Sequence, residues 1–181
     1  VSVTAAAEYD WEKIFADAVW LHWTGITPAL SQTSAEAVLY ASQEAKSRGL
    51  AVSCDLNFRK KLWNWESGTD PRALAEKTMR GILPHVDLVI ANEEDAADVL
   101  GIHAAHTDVS SGKLAVGHYP DVAREIVRQF PNLSRVAITL RESLSASHNN
   151  WGAMLYDAAT DTPHFAPLSD GKYDAYQIRN I

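Results

Sequence analysis

Short apolar runs alternate with amphipathic stretches along most of the chain. Ala18 to Trp23, Leu50 to Cys54, Asp87 to Ala91 and Arg135 to Leu140 are the length of buried strands and too short for helices. Between them the apolar positions recur at helical spacing. Asp10 is placed to cap a short helix through Asp17, with Trp11, Ile14 and Phe15 on one side. Thr33 and Glu36 have capping-box spacing ahead of the stripe Ala35, Val38, Leu39, Ser42 and Ala45, which Gly49 ends. Asp70-Pro71 starts a helix to about Leu83, Asn92 to Asp95 caps one through Leu100, and Asp121 to Phe130 forms another.

Strand, helix and strand in this succession predict right-handed βαβ units in a mostly parallel sheet. From Trp151 onward the pattern changes. Trp151 to Tyr156, Thr162 to Pro167 and Tyr173 to Ile178 read as short strands joined by turns, an antiparallel edge on that sheet. The segment from His103 to Tyr119 has little periodicity and reads as a loop. No internal repeat or linker divides the chain, so residues 1–181 are expected to form one α/β domain.

Polar residues follow each strand, and in open α/β sheets ligands bind outside the carboxyl ends of the strands. The richest such stretch is Asp55-Leu56-Asn57-Phe58-Arg59-Lys60-Lys61-Leu62-Trp63. Asp55 and Asn57 alternate with Leu56 and point the same way while strand geometry lasts. Arg59 offers a permanently charged planar fork for a carboxylate or phosphate, or is merely solvated in a polar turn. Thr24 to Pro28 is a loop at another strand end, in which Gly25 either lets backbone approach a ligand or simply turns the chain. His22, alone within a strand, is expected to be a packed, hydrogen-bonded residue. His103 and His106 are three apart with no further ligands nearby, fewer than a structural zinc site needs. Gly112 and Gly117 have phosphate-loop spacing, but His118 and Tyr119 follow where lysine and serine or threonine are required.

Composition narrows the partners. Of the residues, 46% are hydrophobic and 22% charged, ordinary for a folded chain. The net charge of -7, with no basic block, argues against nucleic acid; an anionic ligand would look to Arg59-Lys60-Lys61. Cys54 is the only cysteine, which excludes an internal disulfide, and it lies in an apolar strand as a small hydrophobe. No apolar run reaches the length of a membrane span, and no signal-peptide pattern opens the sequence, so a cytoplasmic location is expected.

His22-Trp23-Thr24-Gly25-Ile26-Thr27-Pro28-Ala29-Leu30, Asp55 to Trp63, Asn92 to Asp95 and Thr139-Leu140-Arg141-Glu142-Ser143 occur in that order. In these residues the chain resembles the ribokinase/phosphofructokinase-B family of carbohydrate kinases, and within it the 2-keto-3-deoxygluconate branch. The Asp-x-Asn-x-Arg-x-x-Leu-Trp pattern is the most specific of them. The resemblance implies a three-layer, ribokinase-like (Rossmann-like) fold that is truncated, a sugar acid and a nucleotide as small-molecule partners, and ATP and Mg2+ as cofactors. It makes Asp55, Asn57 and Arg59 substrate-binding residues. It places Asn92, Thr139 and Arg141 on the nucleotide side, and puts Asp95, where the family's Asn-x-x-Glu motif has glutamate, near the metal through water.

The family's catalytic aspartate lies in a Gly-x-Gly-Asp motif. No two of the nine glycines here are separated by one residue, so the motif does not occur in these 181 residues. The chain therefore reads as the central part of a kinase lacking both ends, catalytically inactive alone and able to self-associate. A fructokinase-like enzyme of the same family and a non-catalytic ligand- or partner-binding remnant are the alternatives.

Overall fold

The computed structural model describes residues 3–103, 116–145 and 148–179. Four strands run parallel and lie in chain order: β1 (Trp20–Thr24), β2 (Ala51–Asp55), β3 (Leu88–Ala91) and β4 (Arg135–Ser145). β5 (His148–Asp157) returns antiparallel to β4. On its far side β5 pairs with β6 (Thr162–Ala166) and β9 (Tyr176–Arg179), both antiparallel. β7 (Leu168–Ser169) and β8 (Lys172–Tyr173) form a separate small ribbon. The parallel sheet with an antiparallel edge is the architecture that the patterning predicts.

Helices α1 (Trp11–Ile14), α2 (Ile26–Ala29), α3 (Gln32–Ser47), α4 (Pro71–Ile82), α5 (Glu93–Leu100) and α6 (Tyr119–Gln129) fill the connections. They cover the sheet face carrying Trp23, Val52, Cys54, Val89, Ile138 and Met154, all buried. Burial raises the Cys54 thiol pKa far above its ordinary value, with the Asp55 charge adding to the effect; this is the inert behaviour of a core cysteine. The opposite face is bare of helices among the described residues. There Trp20 and His22 are exposed, Ile90 and Ala137 half-buried, and Leu155 36% exposed.

Several boundaries move for local reasons. The cap of α3 is Ser31, whose hydroxyl accepts from Ser34 N at 3.0 Å, so the Thr33–Glu36 pair lies inside the helix. Thr24 to Pro28 is not all loop, because the chain turns into α2 after Gly25. Asp70 caps α4, accepting from Arg72 N at 2.9 Å. That helix stops at Ile82, and a 3-10 turn, Leu83–His85, takes in Pro84. α6 begins two residues before Asp121, since Pro120 is pre-set for a first turn. His103 lies within the described residues, whereas His106 and Gly112 lie outside them.

The amino ends of the strands are tied by Asp87. Its carboxylate accepts from Val52 N at 2.8 Å and from Lys46 Nζ at 2.6 Å. Its carbonyl accepts from Ser134 N at 2.9 Å and Arg135 N at 3.2 Å. One residue thus sets the register of β2, β3 and β4, and so fixes where their carboxyl ends arrive.

Candidate active site

Thr24, Asp55 and Ile90 are ladder partners, so β1, β2 and β3 finish almost level. Main-chain bonds then stitch the segments that leave them. Gly25 N donates to Asp55 O at 2.7 Å, and Leu56 N donates to Ile90 O at 2.9 Å. A Cβ on Gly25 would fall against the Leu56 carbonyl. Glycine is therefore needed for close approach to the chain's own backbone.

The segment after β2 divides its side chains between core and surface. Leu56 and Trp63 are 1% exposed and Leu62 packs on the same core, while Arg59, Lys60 and Lys61 stay exposed. The apolar residues of the Asp-x-Asn-x-Arg-x-x-Leu-Trp pattern are anchors, and its polar residues are displayed. Asn57 has φ +39°, a left-handed conformation that asparagine tolerates better than most residues, and its amide donates to Thr24 Oγ1 at 3.0 Å. Arg59 Nη1 donates to its neighbour's carbonyl, Phe58 O, at 2.8 Å.

Asp95 meets this segment from α5. One carboxylate oxygen accepts from Phe58 N at 2.8 Å and the other from Asn92 N at 3.3 Å, while Asn92 Oδ1 accepts from Asp95 N at 2.7 Å. Asn92 and Asp95 thereby form a reciprocal capping box for α5. Burial raises the pKa of Asp95 and the nearby Asp55 charge adds to this, against the two backbone donors and Arg59. Asp55 is also raised, chiefly by burial, with the Asn57 backbone N–H, His22 and Arg59 opposing. Two carboxylates and one guanidinium thus share a small electrostatic neighbourhood.

Asp55, Asn57, Arg59, Asn92 and Asp95 are brought together at the ends of β2 and β3. Thr139 and Arg141 stand beside them on β4, but not at a strand end. Ile138 is level with Ala91, the last residue of β3, and β4 continues to Ser145, paired with β5. At about 3.3 Å per residue this hairpin projects roughly 20 Å beyond the parallel strands. Thr139 Oγ1 lies 3.5 Å from Ala91 O. Arg141 donates from Nε to Asn149 Oδ1 at 3.2 Å and sits 5.3 Å above the Trp151 ring. Glu142 accepts from Asn150 Nδ2 at 2.8 Å. The alternation of Thr139, Arg141 and Ser143 with Leu140 and Leu144 is the signature of a continuing strand with two unlike faces.

Two features escape a reading of the sequence. Thr24 fixes Asn57 through a contact between segments far apart in the chain, signalled only by its place at a strand end. His22 is not packed: it is exposed, and its Nδ1 lies 2.8 Å from Ser53 Oγ, which also accepts from Trp20 Nε1 at 2.8 Å. Among the described residues no three His, Cys, Asp or Glu side chains gather as a metal set. Both Asp95 oxygens and Asn92 Oδ1 hold backbone N–H groups, which leaves each a lone pair for a metal-bound water. Nor is any described helix long and apolar enough to cross a membrane.

No family model matches the chain. The 2-dehydro-3-deoxygalactonokinase of Haloferax volcanii is 30% identical over 171 residues, covering 93% of this chain and 46% of its own. The crystal structure of 2-dehydro-3-deoxygluconokinase from Thermotoga maritima is 36% identical and superposes with a TM-score of 0.81, over 99% of this chain and 48% of that one. A PfkB family carbohydrate kinase from Listeria grayi is 26% identical, with a TM-score of 0.76, over 99% and 47%. The chain spans about half the length of the relatives it matches. Over nearly its whole length the chain is similar in sequence and fold to about half of each of these PfkB-type carbohydrate kinases.

Proposed function

We propose that this chain supplies the sugar-acid-binding and part of the nucleotide-facing surface of a 2-keto-3-deoxygluconate-type kinase. The observation that carries this reading is the display of Asp55, Asn57 and Arg59 on a segment held from both sides by the neighbouring strand ends. A shelf fixed in this way spends little binding energy on its own ordering. Arg59 presents a fork for the carboxylate of the sugar acid, with Lys60 and Lys61 adding positive charge to an otherwise acidic chain. Asp55 and Asn57 accept and donate hydrogen bonds to its hydroxyls.

Bound ATP would supply the phosphoryl group for the terminal hydroxyl. Asn92, Thr139 and Arg141 face that side. Arg141, held on the Trp151 ring, adds a cation where phosphate charge would lie. Asp95 would reach magnesium through water.

Phosphoryl transfer to an alcohol also needs an acceptor for the hydroxyl proton. These 181 residues contain no Gly-x-Gly-Asp; Asp55 ends β2, and Asp95, in the first turn of α5, already accepts from backbone N–H groups with both oxygens. The chain alone is therefore expected to bind substrate without turning it over, in keeping with a general base being worth about 10²–10⁴-fold. Titration of 2-keto-3-deoxygluconate into the chain, beside a coupled assay with ATP, tests both parts. Binding that weakens roughly 10–100-fold in Arg59→Lys, as loss of a charge-assisted pair requires, supports the assignment. Binding indifferent to Arg59 rejects the substrate site, and turnover at ordinary kinase rates rejects the inactivity of the isolated chain.

A further inference from the structure

We propose that Asp95 is a positioning residue that sets the aim of Arg59 by holding the Phe58 peptide. This rests on the substrate role given to Arg59 above, but the brace itself is a separate structural claim. The side chain is 6% exposed, and each of its oxygens has a backbone donor. Phe58 is held through both of its backbone polar groups, which lie on successive peptide planes: its N–H donates to Asp95 Oδ1, and its carbonyl accepts from Arg59 Nη1 at 2.8 Å. The carboxylate and the guanidinium thus grip the main chain on either side of the Phe58 Cα.

The chemistry favours this use of a carboxylate. A buried charge needs hydrogen bonds to offset its lost hydration, and two N–H groups do part of this here. The peptide it holds needs holding, because Asn57 immediately before it is in the left-handed region. Thr24 restrains Asn57 from the β1 side and Asp95 restrains Phe58 from the α5 side. Without Asp95 the α5 side would lose its hold on Phe58 N. Glutamate at this position would carry its carboxylate one methylene further, so the shorter acid matches the two short reaches observed.

Amide hydrogen exchange in the intact 181-residue chain tests the brace, with Leu56 N–H as internal reference because its partner is Ile90 O. Asp95→Ala is expected to speed exchange at Phe58 roughly 10–100-fold while leaving Leu56 nearly unchanged. The isosteric Asp95→Asn keeps one acceptor and should give a smaller rise. Equal acceleration at both amides, or none at Phe58, overturns the proposal. Positioning further requires that Asp95→Asn and Arg59→Lys weaken 2-keto-3-deoxygluconate binding non-additively; additive losses reject it. A wild-type chain that does not bind this sugar acid would refute the substrate reading, and the Phe58 exchange would still decide the brace.

Discussion

Gly25 and Leu56 lie so close that the position of a Cβ on Gly25 is already taken by the Leu56 carbonyl oxygen. The contact accompanies the bond from Gly25 N to Asp55 O and holds the end of β1 against the end of β2. Gly25→Ala must push these backbones apart and should cost about 1–3 kcal/mol. Gly81 in α4 meets nothing within 4 Å, and Gly81→Ala should instead stabilise by about 0.5–1 kcal/mol. Urea midpoints of the two variants check the contrast in sign.

Asp87 offers a second comparison. Asp87→Ala strips Val52 N of its acceptor at a fully buried strand residue and should cost about 1.5–3 kcal/mol. Lys46→Ala removes only the partly exposed ion pair, worth about 0–1 kcal/mol. Equal losses in denaturant melts would show that the pair, not the backbone bond, carries the stabilisation.

The carboxylates of the site predict a pH dependence. Burial raises the native pKa of both Asp55 and Asp95, so in the interval above the unfolded value of about 3.9 the native state binds more protons than the unfolded state. The slope of unfolding free energy with pH is then negative: their contribution is most favourable below that value and is lost as pH rises through the native pKa. Glu66 and Asp161 are lowered by their partners and act in the opposite sense at lower pH, so the reading must be differential. Wild type minus Asp55→Asn/Asp95→Asn should fall in stability from about pH 4 towards neutrality. A flat difference rejects the raised values.

The bare sheet face predicts self-association. Trp20 is 52% exposed on β1, a strand paired only with β2 among the described residues, and Leu155 shares the open face. Unpaired edges and apolar faces are templates for pairing with another copy. Sedimentation should show association that Trp20→Lys and Leu155→Lys together abolish. A monomer at high concentration in the wild type rejects the expectation.

The succession of strands and helices and the crowding of polar groups at strand ends were legible because both follow from local periodicity. Asp55, Asn57 and Arg59 stood out because a buried run stops abruptly at charged residues. The brace by Asp95 was not legible, since a carboxylate in the first turn of a helix has an adequate local explanation as a cap. Only the approach of Phe58 N, from another segment, gives it a second partner. Thr139 to Ser143 was misread as a strand end for a related reason. Polar residues on one face of a projecting hairpin look, one strand at a time, like a loop.

The sheet lists its first four parallel strands in the order in which the ribosome would make them. No later strand among β1 to β4 has to slip between two that are already joined, so each βα unit finds a finished edge waiting as it emerges. Such a sheet can grow by accretion, each crossover returning to an edge already formed. The exception is β9, which must return to β5 after β6 has docked beside it.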